Sequence, residues 1–322
     1  MKRLRFIFSF VLILSIASFT AILYAQDNNK AQAAGNIYIN DTAITLEVDH
    51  YKTIRVHGTS SRVYWSSSNS RVASVTSSGK VFAKAPGTAT ITASVAGKKI
   101  KCKVNVIYIN KKTLTLPSGK DYSLKITNAK STPIWSTSDS KVATVSNKGK
   151  VTAVAAGKAT ITAFVDGKEV ISKITVIDIS DKSVVMEVGG WSGAVKTLKV
   201  SGTDSKITWT SSDPSIATVS AKGRIKAHSY GSTTITATVD GVKLICEVKV
   251  VQMSNSTVTL KKGETYQLEI YGTTSNIEWA SYKRSVAVVS DDGIVTAKKA
   301  GKATIVGLVD GRTVRSKITV IE

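Results

Sequence analysis

Residues 135–167 read "WSTSDSKVATVSNKGKVTAVAAGKATITAFVDG", and a close relative of this stretch occurs four times in the 322-residue chain. Anchored on Trp65, Trp135, Trp209 and Trp279, the copies are separated by 70, 74 and 70 residues. A glycine follows each tryptophan at 14 residues (Gly79, Gly149, Gly223, Gly293) and another at 22 (Gly87, Gly157, Gly231, Gly301). A third stands at 32 (Gly97, Gly167, Gly241, Gly311). Between them fall the pairs Val72-Ala73, Val142-Ala143, Ile216-Ala217 and Val286-Ala287. Self-similarity at a fixed period is the signature of a repeat architecture, and it overrides a domain count taken from length alone.

Within a copy every segment reads as strand. "ATITAFV" and "VTAVAA" alternate β-branched and small residues at period two, which places one set of side chains on each face. The third glycine follows Asp in copies two to four (Asp166, Asp240, Asp310). Asp-Gly between two alternating runs is a preferred two-residue hairpin turn, because both central positions need positive φ. The first glycine, in "SSGK", "NKGK", "AKGR" and "DDGI", marks another tight turn. No stretch beyond the N-terminal segment carries an apolar stripe at helical spacing with caps. Some seven short strands, one buried tryptophan and about 70 residues describe a small β-sandwich.

The pattern W-[ST]-S-x-x-x-x-[VI]-A-x-V-S-x-x-G-x-[VI]-x-A-x-x-x-G-x-[AT]-T-I-T-A resembles the bacterial immunoglobulin-like domain, group 2, the module of intimin- and invasin-type adhesins. The resemblance covers residues 36–322. It implies an all-β fold of four tandem Ig-like β-sandwich modules in an elongated array, and it leaves function open, since such modules serve as spacers, adhesive tips and enzyme appendages. Copy four departs from the pattern with "WASYKRSVAVVS" and "IVGLV", without threatening the fold. The expected modules are 36–106, 107–176, 177–250 and 251–322, joined with no Pro- or Gly-rich linker. At about 3.3 Å per strand residue, four of them end to end would reach roughly 120 Å.

Residues 1–25 carry Lys2, Arg3 and Arg5 ahead of an uncharged run from Phe6 to Ala25. A basic start followed by an apolar core reads as a secretion signal or, since some 20 residues suffice to span a bilayer, as an uncleaved anchor. A short polar linker, 26–35, follows. Either reading exports the rest of the chain to the outside or the cell surface, with membrane contact only through an uncleaved segment.

The net charge of +22 favours anionic partners, and export argues against nucleic acid. Residues 36–106 and 107–176 each hold a net +7, against +2 in 177–250 and +3 in 251–322. In the first copy Lys99, Lys101 and Lys103 alternate along one strand and form an outward row. Such a row is either a solvated face that blocks edge pairing or a patch that holds the N-terminal half against an anionic surface, either the cell wall with its polymers or glycans or the membrane.

Copy three is longer by four residues at "EVGGWSGAVKTLKV", where Trp191 stands outside the repeat pattern between Gly189, Gly190 and Gly193. There it either folds back over an apolar rim or offers an aromatic platform to a glycan or a surface protein receptor.

Cys102 and Cys246 occupy one repeat position, where copies two and four have Ser172 and Ser316. Their alternation with charged residues points them into two separate cores as free thiols, too far apart for a disulfide. His50, His57 and His228 fall at unrelated offsets, so no metal is expected. No nucleophile with its base, no paired catalytic carboxylates and no phosphate loop can be singled out, so neither an enzyme nor a cofactor is expected. The leading expectation is an exported structural and adhesive array. The alternatives are a glycan- or wall-binding module set accessory to a wall enzyme, and a pure spacer.

Overall fold

The computed structural model of the chain describes residues 36–189 and 195–322. The signal or anchor segment, the linker and Trp191 lie outside these residues. The chain divides into two units, one up to Tyr108 and one from Ile109 to Glu322. The first unit holds one module and the second holds three. Among the described residues every regular element is a strand.

The second module sets out the plan. Its larger sheet orders Thr113–Pro117, Lys168–Ile179, Gly157–Val165 and Ile134–Thr137. The smaller sheet orders Asp121–Ser123, Lys150–Ala153 and Ala143–Val145. The long hairpin Gly157–Val165 with Lys168–Ile179 is its spine, paired antiparallel from Gly157↔Val176 to Val165↔Lys168. Its Asp166-Gly167 turn has φ of 50° and 73°, the doubly positive geometry of a two-residue hairpin loop. The equivalent turns at Asp240-Gly241 and Asp310-Gly311 repeat it, and Ala96-Gly97 holds the same geometry without the aspartate.

Thr113–Pro117 enters the sheet parallel to Lys168–Ile179, as do Ser183–Glu187, Thr257–Lys261 and, in the first unit, Ala43–Glu47 beside their own last strands. Periodicity in the sequence gives no sign of this parallel pairing, because alternation looks the same whichever way the neighbour runs.

Period two decides the core. In Gly157–Val165 the inward residues Ala159, Ile161, Ala163 and Val165 are buried, while the residues between them stay half-buried or exposed. Each fully buried Ile contributes on the order of 1.5–3 kcal/mol by leaving water. Ile91, Ile161, Ile235 and Ile305, all at 0% exposure, occupy this position in the four modules.

The tryptophans differ from expectation in one respect. Each is half-buried rather than buried, because its strand is the outer edge of the larger sheet. Trp135, for example, pairs only inward, to Ala163. From that edge the indole closes over the first glycine of the repeat. A Cβ built on Gly223 would lie 2.9 Å from Trp209 Cζ2 and 2.5 Å from the Leu198 carbonyl oxygen. The same close approach recurs at Gly79, Gly149 and Gly293. The second glycines lie against the side chains of Val72, Val142, Ile216 and Val286.

In the second unit the last strands of the second and third modules outrun their own sheets. Lys168–Ile179 continues past Val176, where the sequence had placed its end, and pairs Asp178↔Ser201 and Ile179↔Val200 with the next module. Val242–Met253 does the same through Gln252↔Tyr271 and Met253↔Ile270. Gly202 and Gly272 stand at these crossings with φ of 86° and 83°. Any Cβ there would lie 1.9 Å from the Val176 oxygen and 2.2 Å from the Val250 oxygen, respectively. Both lie seven residues before their tryptophan, and Asn128 holds that place in the second module at φ 63°.

Cys102 and Cys246 are fully buried free thiols, and burial pushes both up to about 11. Ser172 and Ser316 occupy the same position at 0% exposure, and neither hydroxyl finds a hydrogen-bond partner. A buried polar group left unsatisfied costs about 1–3 kcal/mol.

Two predictions follow from the packing. Gly223→Ala, crowded by indole and carbonyl, should destabilise its module by clearly more than Gly241→Ala, whose Cβ meets open space and carries only the left-handed backbone cost of roughly 1–2 kcal/mol. Calorimetric melting of the two variants checks the order. Ser172→Cys should raise the stability of the second module by about 1 kcal/mol, and Cys102→Ser should lower that of the first by a similar or larger amount. Chemical denaturation of the single variants measures both.

Candidate functional site

Apart from the buried Cys or Ser position the cores are much alike, and most differences between modules reside on their surfaces. Strand Lys98–Ile109 carries Lys99, Lys101 and Lys103 outward, all exposed, while Cys102 and Val104 turn inward. Two strand residues rise about 7 Å, so the three ammonium groups form a row of roughly that spacing. The strand beside it lays Ser94, Thr92 and Thr90 opposite them. No carboxylate lies within ion-pair distance of the three among the described residues. The corresponding positions are Glu169, Ile171 and Lys173 in the second module, Lys243, Ile245 and Glu247 in the third, and Thr313, Arg315 and Lys317 in the fourth. A row made entirely of lysine therefore belongs to the first module.

Some lysines elsewhere are paired. Lys52 reaches Asp41 at 2.8 Å and Lys196 reaches Asp181 at 2.9 Å, each within its own module. In the second unit Lys158 meets Asp204 at 2.8 Å and Lys249 meets Asp310 at 2.9 Å, both joining adjacent modules. Such exposed pairs add little to stability. The Lys196 ammonium and the Ser180 hydroxyl hold the Asp181 carboxyl below its usual range, and Lys249 with Ser275 does so for Asp310.

The hairpin aspartates have a second duty beyond tolerating positive φ. Asp166 accepts hydrogen bonds from the Lys130 and Ser131 amides at 2.8 and 2.9 Å and from the Ser131 hydroxyl at 2.8 Å. It thereby ties the loop before the tryptophan strand to the hairpin tip. Asp240 accepts likewise from the Ser205 hydroxyl. The sequence signal for this was a serine four residues before each tryptophan (Ser61, Ser131, Ser205, Ser275), a regularity easily lost in a serine-rich chain.

Two grooves open on these surfaces. One, of about 670 Å³ in the second unit, runs over Lys111, Lys158 and Lys173 to the hairpin of the next module at Asp240. The other, of about 720 Å³ in the first unit, lies beside the tryptophan edge and is lined by Arg55, His57, Arg62, Tyr64, Trp65 and Ser77 among others. His57 stacks on Tyr38 with centroids 5.1 Å apart, and the Arg62 guanidinium sits 5.3 Å from the Tyr64 ring centroid. Sequence reasoning named Trp65 and His57 but did not join them to Arg55, Arg62 and Tyr64, which lie apart along residues 55–65 and are gathered by the turn between strands.

Among the described residues no group of three or more His, Cys, Asp or Glu side chains is placed to hold a metal ion, and no helix is long and apolar enough to cross a membrane.

Among curated proteins the chain is 25% identical over 349 residues to Ice-binding protein 1 of Shewanella frigidimarina, a match covering 89% of this chain and 39% of that protein. It is 30% identical over 174 residues to an uncharacterized protein of Clostridium acetobutylicum, covering 49% of this chain and 18% of the other. The chain thus spans less than two fifths of the length of these relatives. Solved structures similar to it include domains 1–6 of the surface layer protein SbsC, at 17% identity over 82% of this chain and 49% of that one, with a TM-score of 0.20. Invasin, a bacterial integrin-binding protein, matches at 15% identity over 81% and 72%, with a TM-score of 0.27. The model of the bacterial Ig-like domain (group 2) matches four times, at residues 33–106, 94–176, 173–244 and 247–320. With four such matches in tandem, the chain belongs to the bacterial Ig-like domain (group 2) family.

Proposed function

We propose that this chain is an exported, non-catalytic repeat protein of the bacterial surface, whose basic first two modules hold it against anionic polymers of the envelope while the two less charged modules present themselves to partners. The observation that carries the reading is the row Lys99, Lys101 and Lys103. It is exposed, without carboxylate partners among the described residues, and restricted to one module of an otherwise repetitive chain. Ammonium groups spaced at about 7 Å along a rigid strand suit a polymer bearing regularly repeated phosphate or carboxylate groups. Export is supported by the basic-then-apolar character of residues 1–25.

Attraction between exposed charges is screened over about 8 Å at physiological salt, so the proposed contact is salt-sensitive. Cosedimentation of the protein with washed cell walls should fall steeply between low and high salt. Replacing all three residues by Gln should weaken low-salt binding on the order of 100-fold, at roughly 1 kcal/mol per basic residue near an anionic surface. Binding that ignores salt, or that survives the triple replacement, overturns the assignment.

A further inference from the structure

The groove beside the tryptophan edge of the first module combines three features that no other module has together. One is an aromatic face: Tyr64 is 62% exposed and lies next to Trp65. Another is a pair of guanidinium groups, Arg55 and Arg62, with no ion-pair partner among the described residues. The third is a polar rim of His57, Thr76, Ser77 and Ser78, with no Asp or Glu in the lining. At about 720 Å³ it falls within the roughly 300–1,000 Å³ of ordinary ligand sites.

The repeat supplies its own controls. Tyr64 is replaced by Ile134, Thr208 and Glu278 in the other modules, and Arg62 by Thr132, Lys206 and Asn276. Arg55 is replaced by Lys125, Lys199 and Glu269, and His57 by Thr127, Ser201 and Tyr271. The fold needs none of the four side chains, since three sister modules form the same sandwich without them. Residues that are dispensable to the core and collected in one groove call for another explanation.

We propose that this groove binds an acidic glycan, a chain of sugars bearing carboxylates. An apolar sugar face packs on an exposed phenol ring. A sugar carboxylate takes two parallel hydrogen bonds from a guanidinium, the geometry that Arg provides and Lys does not. The Arg62 guanidinium lies 5.3 Å from the centre of the Tyr64 ring, so the cation and the stacking platform are already brought together before a ligand arrives. Serine and histidine side chains along the rim serve the sugar hydroxyls. None of the three lysines lines the groove: it occupies the tryptophan edge, with Trp65 paired to Ala93, whereas the lysines lie on the strand beyond, Lys99 sharing a cross-strand row with Tyr64 through Ser94.

Isothermal titration of the full chain with oligomers of galacturonic, mannuronic and glucuronic acid tests the assignment. Parallel titrations use their carboxyl-reduced neutral counterparts and a single-stranded deoxythymidine oligomer. At least one uronate should bind, and its neutral counterpart should bind at least about tenfold more weakly, as should the uronate to Arg62→Gln, since hydrogen bonds to charged groups are worth roughly 1.5–3 kcal/mol. Tyr64→Ala should weaken binding and Tyr64→Phe should keep it, with the melting of the module unchanged in both. Replacing Lys99, Lys101 and Lys103 by Gln should weaken uronate binding less than Arg62→Gln does, even where wall binding is lost. Failure of every uronate, equal binding of a neutral form, or tighter binding of the oligonucleotide through the same residues would each overturn the proposal.

Discussion

The sandwich of each module has an open side, and the fold rests on how that side is closed. An edge strand has a neighbour on one flank only, so water would reach the core between the two sheets. The indole of Trp65, Trp135, Trp209 or Trp279 seals the gap by lying on the turn that ends in Gly79, Gly149, Gly223 or Gly293. The arrangement is reciprocal. The large ring needs a neighbour without a side chain, and the glycine's positive φ is what lets the turn bring its bare backbone underneath the ring. Neither residue does this alone, which accounts for their fixed spacing in all four copies.

In the second unit the same economy governs how modules follow one another. The strand that completes one larger sheet goes on to pair with the next module, at Asp178↔Ser201 and at Gln252↔Tyr271. No residues are spent on a linker. The crossing requires a residue without a Cβ beside the carbonyls of Val176 and Val250, and Gly202 and Gly272 meet it. Asn128, at the same offset before its own tryptophan, holds the left-handed conformation that asparagine tolerates better than most residues.

The four modules also sort into pairs. The first and third share a buried cysteine and a surface lysine–aspartate pair, Lys52 with Asp41 and Lys196 with Asp181. The second and fourth share a buried serine and put a tyrosine hydroxyl in place of the ammonium, Tyr122 beside Asn110 and Tyr266 beside Asn255. Against this shared background the lysine row and the aromatic groove stand out because each occurs once, in the first module.

The sequence by itself determined what local geometry controls. Alternation at period two told inward from outward residues, so the burial of Ile161 and Cys102 and the exposure of Lys99, Lys101 and Lys103 were legible before any fold was known. The Asp-Gly turns were legible because their φ values are a property of two adjacent residues. Family membership was legible because tryptophan and glycine recur at fixed offsets. Tertiary structure alone decided the parallel entry of Thr113–Pro117, the half-buried state of the tryptophans at a sheet edge, the strand shared between modules, and the gathering of Arg55, His57, Arg62 and Tyr64 around one groove. Each depends on which strand lies beside which, and a pattern along one strand carries no record of its neighbour.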